Sequence, residues 1–467
     1  MVWDNSRKAK ETPPDTPASA VDERHSAVRT TLFGLQHVLV MYAGVVIVPI
    51  VVGSALGLSD ADIAKLVSID LVLAGIGTLL QSLGVWKFGI RMPLVVGAAS
   101  NGIIPMVLVG ENHGLPTVYG SILVGGVIWI FMAPLFGMLL KLFPTVVTGT
   151  VIALIGLTLI PVGLRMIVGD DPEDPGYGKL SHIALAGFTI ALIVVFRRLL
   201  KGVAGQLSIL FALIVGAVVG WAVGIGDLSH IGAGPVIGLM GPMHFGTLQF
   251  HLPSILLFLV IIFVITVEAS GQGVAVGQVV GKRVGPSDIA RLLRVDGLMT
   301  ALSGLFSGFV YTTFGQNIGL IALTGVRSRF PVAVGGVILL ALGVFHPVGE
   351  VFASFPKPVI GAAAVVTFGA LIVTGVQLLS SVDFNRPSNL MIVMISLSAG
   401  LIPAYIPDFY TRMPHLAEMF LESGVATGTA LAVTLNLVFH AGRRRGDGSA
   451  APPGEGRPGS GEEPRTD

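Results

Sequence analysis

Fourteen apolar stretches, each close to the roughly 20 residues a helix needs to cross a bilayer, run through this chain with short polar breaks between them. They fall near 31–53, 63–83, 93–110, 117–140, 146–167, 180–197 and 205–225, then near 253–279, 288–310, 312–326, 331–353, 357–381, 388–406 and 422–440. Few folds accommodate this pattern. A chain of 53% hydrophobic and 12% charged residues cannot cover its own surface with polar groups in water, where soluble domains carry about a quarter charged residues. In lipid the backbone must satisfy its own hydrogen bonds, which favours helices. The pattern therefore predicts an all-α polytopic membrane protein with lipid as its surroundings. Its net charge of +1 excludes nucleic-acid binding by bulk electrostatics. The absence of cysteine removes disulfides, thiolate metal sites and cysteine nucleophiles.

Basic residues set the expected orientation. Lys87, Arg91, Lys141, Arg197, Arg198, Lys282, Arg283, Arg327 and Arg329 all fall in loops on the side of the two termini. The opposite loops hold fewer cations, together with Asp170, Asp171, Glu173 and Asp174. An even number of spans puts both termini on one side, and the positive excess makes that side the cytoplasm, in a cell (inner) membrane. Residues 1–30 are polar, with Pro13, Pro14 and Pro17 and no apolar core, so no cleaved leader is expected. They and residues 441–467 read as disordered cytoplasmic tails. Residues 31–225 and 253–440 read as two seven-span repeats joined by a Gly-rich connection, 226–252. An odd-numbered repeat must be inverted in the membrane, a common transporter plan.

Two short segments break the helical pattern at matching places. Gly97-Ala98-Ala99-Ser100-Asn101-Gly102 lies in the third span, and Phe314-Gly315-Gln316-Asn317-Ile318-Gly319 in the tenth. Either they are kinked packing helices, or their irregular backbone lines a cavity, the usual reason for it at that depth. The second reading points to these two segments, which hold Ser100, Asn101 and Gln316, as the place of the substrate site.

Glu268 follows the apolar run from Ile255 to Val267 and lies deep in the eighth span. A charge there is costly, so the carboxyl is expected to face a cavity or to be held neutral. It either bridges two helices as a protonated acid or carries a proton beside a ligand. Gln272, four residues on, shares its face. His37 in the first span either shuttles a proton or fixes a helix contact. Asp296 in the ninth is either a second relay acid or a tie to Arg291 or Arg294, with a supporting role favoured; Asp70 is a weaker candidate of the same kind. Nucleotide-binding loops, paired-His metal motifs and serine elbows are absent from the sequence. No enzyme, cofactor or metal is expected, and transport would draw on an ion gradient.

Gln316-Asn317-Ile318-Gly319-Leu320-Ile321-Ala322-Leu323-Thr324-Gly325 resembles the signature of the nucleobase-ascorbate transporter family, also called nucleobase:cation symporter family 2, at every fixed position. Gln36-His37 resembles that family's first-span pair, Val267-Glu268-Ala269-Ser270-Gly271 its acidic eighth span, and Asp296-Gly297 its ninth. The resemblance implies two inverted repeats, with short strands in the broken third and tenth spans. It implies a core domain of spans 1–4 and 8–11, a gate domain of spans 5–7 and 12–14, and a homodimer. It makes Glu268 the substrate-binding, proton-linked carboxyl, Gln316 the base-reading amide and Asn317 its supporting neighbour. A nucleobase edge offers adjacent N–H and C=O groups that a side-chain amide can meet with two bonds.

Two departures stand out. Ser100-Asn101-Gly102 replaces a run that is often aromatic in the family, and Gln272 stands where several xanthine permeases carry an acid. Gln at 316 leans toward xanthine or uric acid over uracil. The competing expectation is an anion exchanger of the same inverted-repeat plan, which would use helix N-termini to hold its ion.

Overall fold

A computed structural model describes residues 18–136, 144–169, 173, 176–226, 228, 232, 236–238 and 240–440. Residues 1–17 and 441–467, the bulk of both polar tails, lie outside the described residues, as does part of the 226–252 connection. Fourteen helices of nine or more residues are described: α1 Ala27–Ala55, α2 Asp60–Leu83, α3 Ile103–His113, α4 Leu115–Met132, α5 Thr145–Val168, α6 Leu180–Leu199, α7 Ser208–Ala222, α8 Leu252–Val280, α9 Pro286–Leu305, α10 Gln316–Thr324, α11 Arg329–Val344, α12 Lys357–Leu379, α13 Pro387–Tyr405 and α14 Gly424–His440. Eight of these are long and apolar enough to cross a membrane, and α7, α11 and most of α14 are shorter apolar helices. Helix α9 carries Asp288, Arg291, Arg294 and Asp296 along its 20 residues. The apolar run 331–353 is not one helix: α11 stops at Val344 and a separate turn of helix, Pro347–Ala353, follows. Pro347 cannot donate the backbone bond that would carry α11 onward.

Local chemistry marks the helix ends. Ser26 and Ser59 cap α1 and α2 by accepting the backbone N–H of Arg29 and Asp62. Arg329, opening α11, donates to the free carbonyls of Ser82 and Leu83 at the end of α2 and pairs with Asp22 at 2.7 Å.

Helix α2 packs along α11, and α9 packs along α4; α5 lies along α12, α6 against α7, and α13 against α14. Small residues allow the close approaches. A Cβ on Gly75 of α2 would begin 2.6 Å from the Gly336 carbonyl of α11, and one on Gly126 of α4 would begin 2.3 Å from the Ala301 nitrogen of α9. Without a hydrophobic drive between helices in lipid, such backbone contact gives packing its strength.

Between these pairs lie two three-residue strands. β1, Val96–Ala98, precedes a 3-10 turn over Ser100–Gly102 and then α3; β2, Tyr311–Thr313, precedes α10. They pair antiparallel, Val96 opposite Thr313 and Ala98 opposite Tyr311. The ladder is extended at its ends by Phe314 N–H to Val95 O (2.9 Å) and Ala99 N–H to Val310 O (2.7 Å). The outward backbone groups must also be satisfied away from water. Thr78 of α2 accepts the Val96 N–H and Thr300 of α9 accepts the Tyr311 N–H, each at 3.0 Å. Each strand is thus anchored through its first residue by a threonine of the preceding helix.

Candidate functional site

The strand pair fixes where polar side chains meet. Because β1 and β2 run antiparallel into α3 and α10, the N-termini of those helices face the strand pair from opposite directions. Each end carries the partial positive charge of a helix N-terminus. Helix α8 passes beside this junction and carries Glu268.

Glu268 accepts two amide hydrogen bonds. Its Oε2 takes Asn101 Nδ2 at 2.9 Å, and its Oε1 takes Gln272 Nε2 at 3.1 Å. Gln272 in turn accepts Thr313 Oγ1 at 2.8 Å. Three elements distant in sequence are therefore tied through Glu268 and Gln272: the turn after β1, helix α8 and the end of β2. Glu268, Gln272 and Ser100 are half-buried, whereas Asn101 is 5% exposed. A side chain on Gly315 would begin 3.3 Å from Gln272 Nε2, so the backbone entering α10 lies directly against this network. Gln316 is the first residue of α10; its side chain lies outside the described residues.

His37 and Asn317 form a second pair. Asn317 Nδ2 lies 3.0 Å from His37 Nδ1 and donates to the His37 carbonyl, also at 3.0 Å, joining α1 to the first turn of α10. Both are buried.

Asp296 is also placed by its partners. Its Oδ1 accepts Gln81 Nε2 at 3.2 Å, and it receives the backbone N–H of Thr313. These contacts tie it to α2 and β2, whereas one of the two sequence readings is a tie to Arg291 or Arg294. Thr313 consequently touches Asp296 through its N–H and Gln272 through its hydroxyl. Asp70 accepts the Tyr311 hydroxyl at 2.6 Å beneath the same strand.

Sequence reading missed Thr313, Gln81 and Phe314. Phe314 is 8% exposed, and its ring lies where a Cβ on Gly97 would begin 2.5 Å away and one on Gly44 2.9 Å away. An aromatic face thus stands at the strand pair from the tenth segment, although the third lacks one. The signal available was Phe314 itself, two residues before Gln316.

A bundle of long apolar helices whose irregular backbone meets at buried polar groups has the form of a membrane transporter. Residues 28–409 match the family model Xan_ur_permease, described as a permease family. The chain is 36% identical over 420 residues to the xanthine permease of Bacillus subtilis (strain 168), covering 89% of this chain and 95% of that protein. It is also 36% identical over 437 residues to the uric acid transporter UacT of Escherichia coli (strain K12), covering 93% and 90%. The chain belongs to the Xan_ur_permease family; it is a permease and not an enzyme. Its fold is similar to the transmembrane domain of a cyanobacterium bicarbonate transporter, BicA, with a TM-score of 0.54 and 16% identity, covering 90% of this chain and 99% of that one.

Proposed function

We propose that this permease carries an oxidised purine, xanthine or uric acid, together with a proton, through alternating access between core and gate domains. Uracil is the second fit to the same chemistry. The observation that carries this reading is the Asn101–Glu268–Gln272–Thr313 network, which sets a carboxyl between the two broken segments. Oxidised purines present N–H and C=O groups in alternation. Glu268 would accept a ring N–H, Gln316 would meet an adjacent donor–acceptor edge, and Phe314 would lie against the ring face. Asn101 and Gln272 would aim the carboxyl, with Ser100 beside Asn101 limiting the exocyclic groups that fit. His37, Asn317 and Asp296 would hold the strands and α10 in register. In a buried site, an analogue lacking a matching group leaves a partner unpaired, which gives discrimination.

The helix pairing supports the repeat plan. Advancing each helix by seven positions turns the α2–α11 pair into α9–α4, and α6–α7 into α13–α14, while α5–α12 maps onto itself. The matched threonines on the first residue of each strand follow the same rule. We infer fourteen spans in two inverted repeats, residues 31–225 and 253–440. Spans 1–4 and 8–11 form the core and 5–7 and 12–14 the gate, with both termini on the cytoplasmic side of the cell membrane and a homodimer as the assembly.

An anion exchanger is the second reading, favoured by the two helix N-termini at the strand pair and by the fold shared with the bicarbonate transporter. Glu268 opposes it, since an ionised carboxylate beside those termini would repel the anion. Uptake of labelled xanthine into cells, challenged with excess uric acid, uracil, sulfate or bicarbonate, separates the two. Inhibition by sulfate or bicarbonate but not by uric acid would overturn the nucleobase reading.

Two substitutions test the pocket. Gln316→Ala is expected to weaken xanthine binding by about 1–3 kcal/mol, the range for losing hydrogen bonds in a buried site, while the protein still inserts. Unchanged affinity in the purified variant would remove Gln316 from the site. Ser100→Phe puts a ring beside Asn101 and should reorder the preference among xanthine, uric acid and uracil. An identical order with normal transport would mean that the third segment does not touch substrate.

A further inference from the structure

A cleft of about 280 Å³ opens between α1, the facing ends of α6 and α7, and the middle of α12, lined by Gly44, Arg197, Gln206, Ile209, Leu210 and Thr367 among others. It adjoins the candidate site on two sides. Gly44 is the residue against which the Phe314 ring lies, and Gln206 Nε2 stands 3.9 Å from where a side chain on Gly319, one turn into α10, would begin. Gln206 closes the short helix Gly202–Gln206, and its Oε1 is buried with no hydrogen-bond partner among the described residues. Arg197 donates from Nη1 to the Gly205 carbonyl at 2.9 Å, and its side chain lines the same cleft as Gln206.

An amide oxygen left unpaired in a buried position is costly unless something visits it. We propose that Gln206 and Arg197 form a second, gate-side station for the oxidised purine, occupied as the base passes between the Glu268 site and the face that carries the termini. Gln206 would meet a donor–acceptor edge of the ring, and the guanidinium would favour bases carrying negative charge on their oxygens. The station belongs to the half of the molecule that lacks Glu268, so it can hold a base after the carboxyl releases it. This inference rests on the nucleobase reading and extends it to the path beyond the central site.

Membrane vesicles of opposite orientation carry the test, with labelled xanthine and uric acid presented to one face at a time. Gln206→Met keeps the side-chain length and removes both hydrogen-bonding groups. It should raise the KM from the termini-bearing face about five- to tenfold, with the other face changed by less than about twofold. Arg197→Gln should act on the same face and more strongly on uric acid than on xanthine. Equal KM changes at both faces, or no change at the termini-bearing face in variants that reach wild-type membrane levels, would overturn the station. Failure of the wild-type protein to carry either base from either face would overturn the nucleobase reading and this inference with it.

Discussion

Glu268→Gln is expected to abolish proton-driven accumulation of xanthine while leaving part of the binding in place. Glutamine keeps the length of the side chain and one oxygen that can accept Asn101 Nδ2, now at 2.9 Å from Oε2. It loses the titratable proton. Its amide nitrogen would also confront a donor, since both present partners of Glu268, Asn101 Nδ2 and Gln272 Nε2, approach with N–H groups. One of the two contacts must therefore break or Gln272 must turn, which would disturb the bond from Thr313 Oγ1 as well. If a proton and a base favour one another at this site, reciprocity requires external acid to tighten base binding in the wild type. That dependence should vanish in the variant. Reconstituted vesicles under an imposed pH gradient give the measurement. A variant that still concentrates xanthine with the wild-type pH dependence would show that coupling resides elsewhere, and Asp296 and His37 would become the groups to replace.

The same network shows what a single sequence carries and what it withholds. Glu268 was visible because a carboxyl after an unbroken apolar run has no ordinary place in lipid. The breaks at Gly97–Gly102 and Phe314–Gly319 were visible because glycine and polar residues interrupt a period that the flanking helices keep. The pairing of β1 with β2 was not legible from local pattern, since three residues cannot announce a partner more than two hundred positions away. The family resemblance implies strands, but the register of Val96 opposite Thr313 is set by contacts that no local pattern carries. Thr78 and Thr300 were silent for a related reason. A threonine in an apolar helix usually bonds back to its own helix, as Thr266 does to the Ile262 carbonyl, and nothing in the sequence distinguishes the two that reach out to a strand. For Asp296 the sequence leaves a relay acid and a tie to Arg291 or Arg294 both open, because helical spacing reveals neighbours along α9 and says nothing of Gln81 on α2.

The second large effect is expected at Gly97. In β1 this residue faces the ring of Phe314, and an added Cβ would begin 2.5 Å from Phe314 Cε2 and 2.8 Å from Val45 Cγ2. Neither neighbour can move freely. The other edge of the ring lies against Gly44 of α1, 2.9 Å from a Cβ built there, while Val45 is fully buried. Gly97→Ala must therefore push the ring or the strand. Overpacking of this kind costs about 1–3 kcal/mol in a well-packed interior. The Phe314 backbone N–H holds Val95 O at 2.9 Å, and Gly315 lies against Gln272, so the displacement passes straight to the entrance of α10. Xanthine binding should fall by a comparable amount, roughly 1–3 kcal/mol, or about five- to 150-fold. Trimming the opposing ring gives the control. Phe314→Leu alone should weaken binding through loss of the aromatic face, yet combined with Gly97→Ala it should recover part of the alanine defect. The relief is partial because Val45 still crowds the new methyl group. A double-mutant cycle on the xanthine dissociation constant, at matched membrane levels, would then show a favourable coupling above about 0.5 kcal/mol. Additive losses, or wild-type affinity in Gly97→Ala, would mean that the ring does not lie over β1 and that the aromatic face of the pocket must come from another segment.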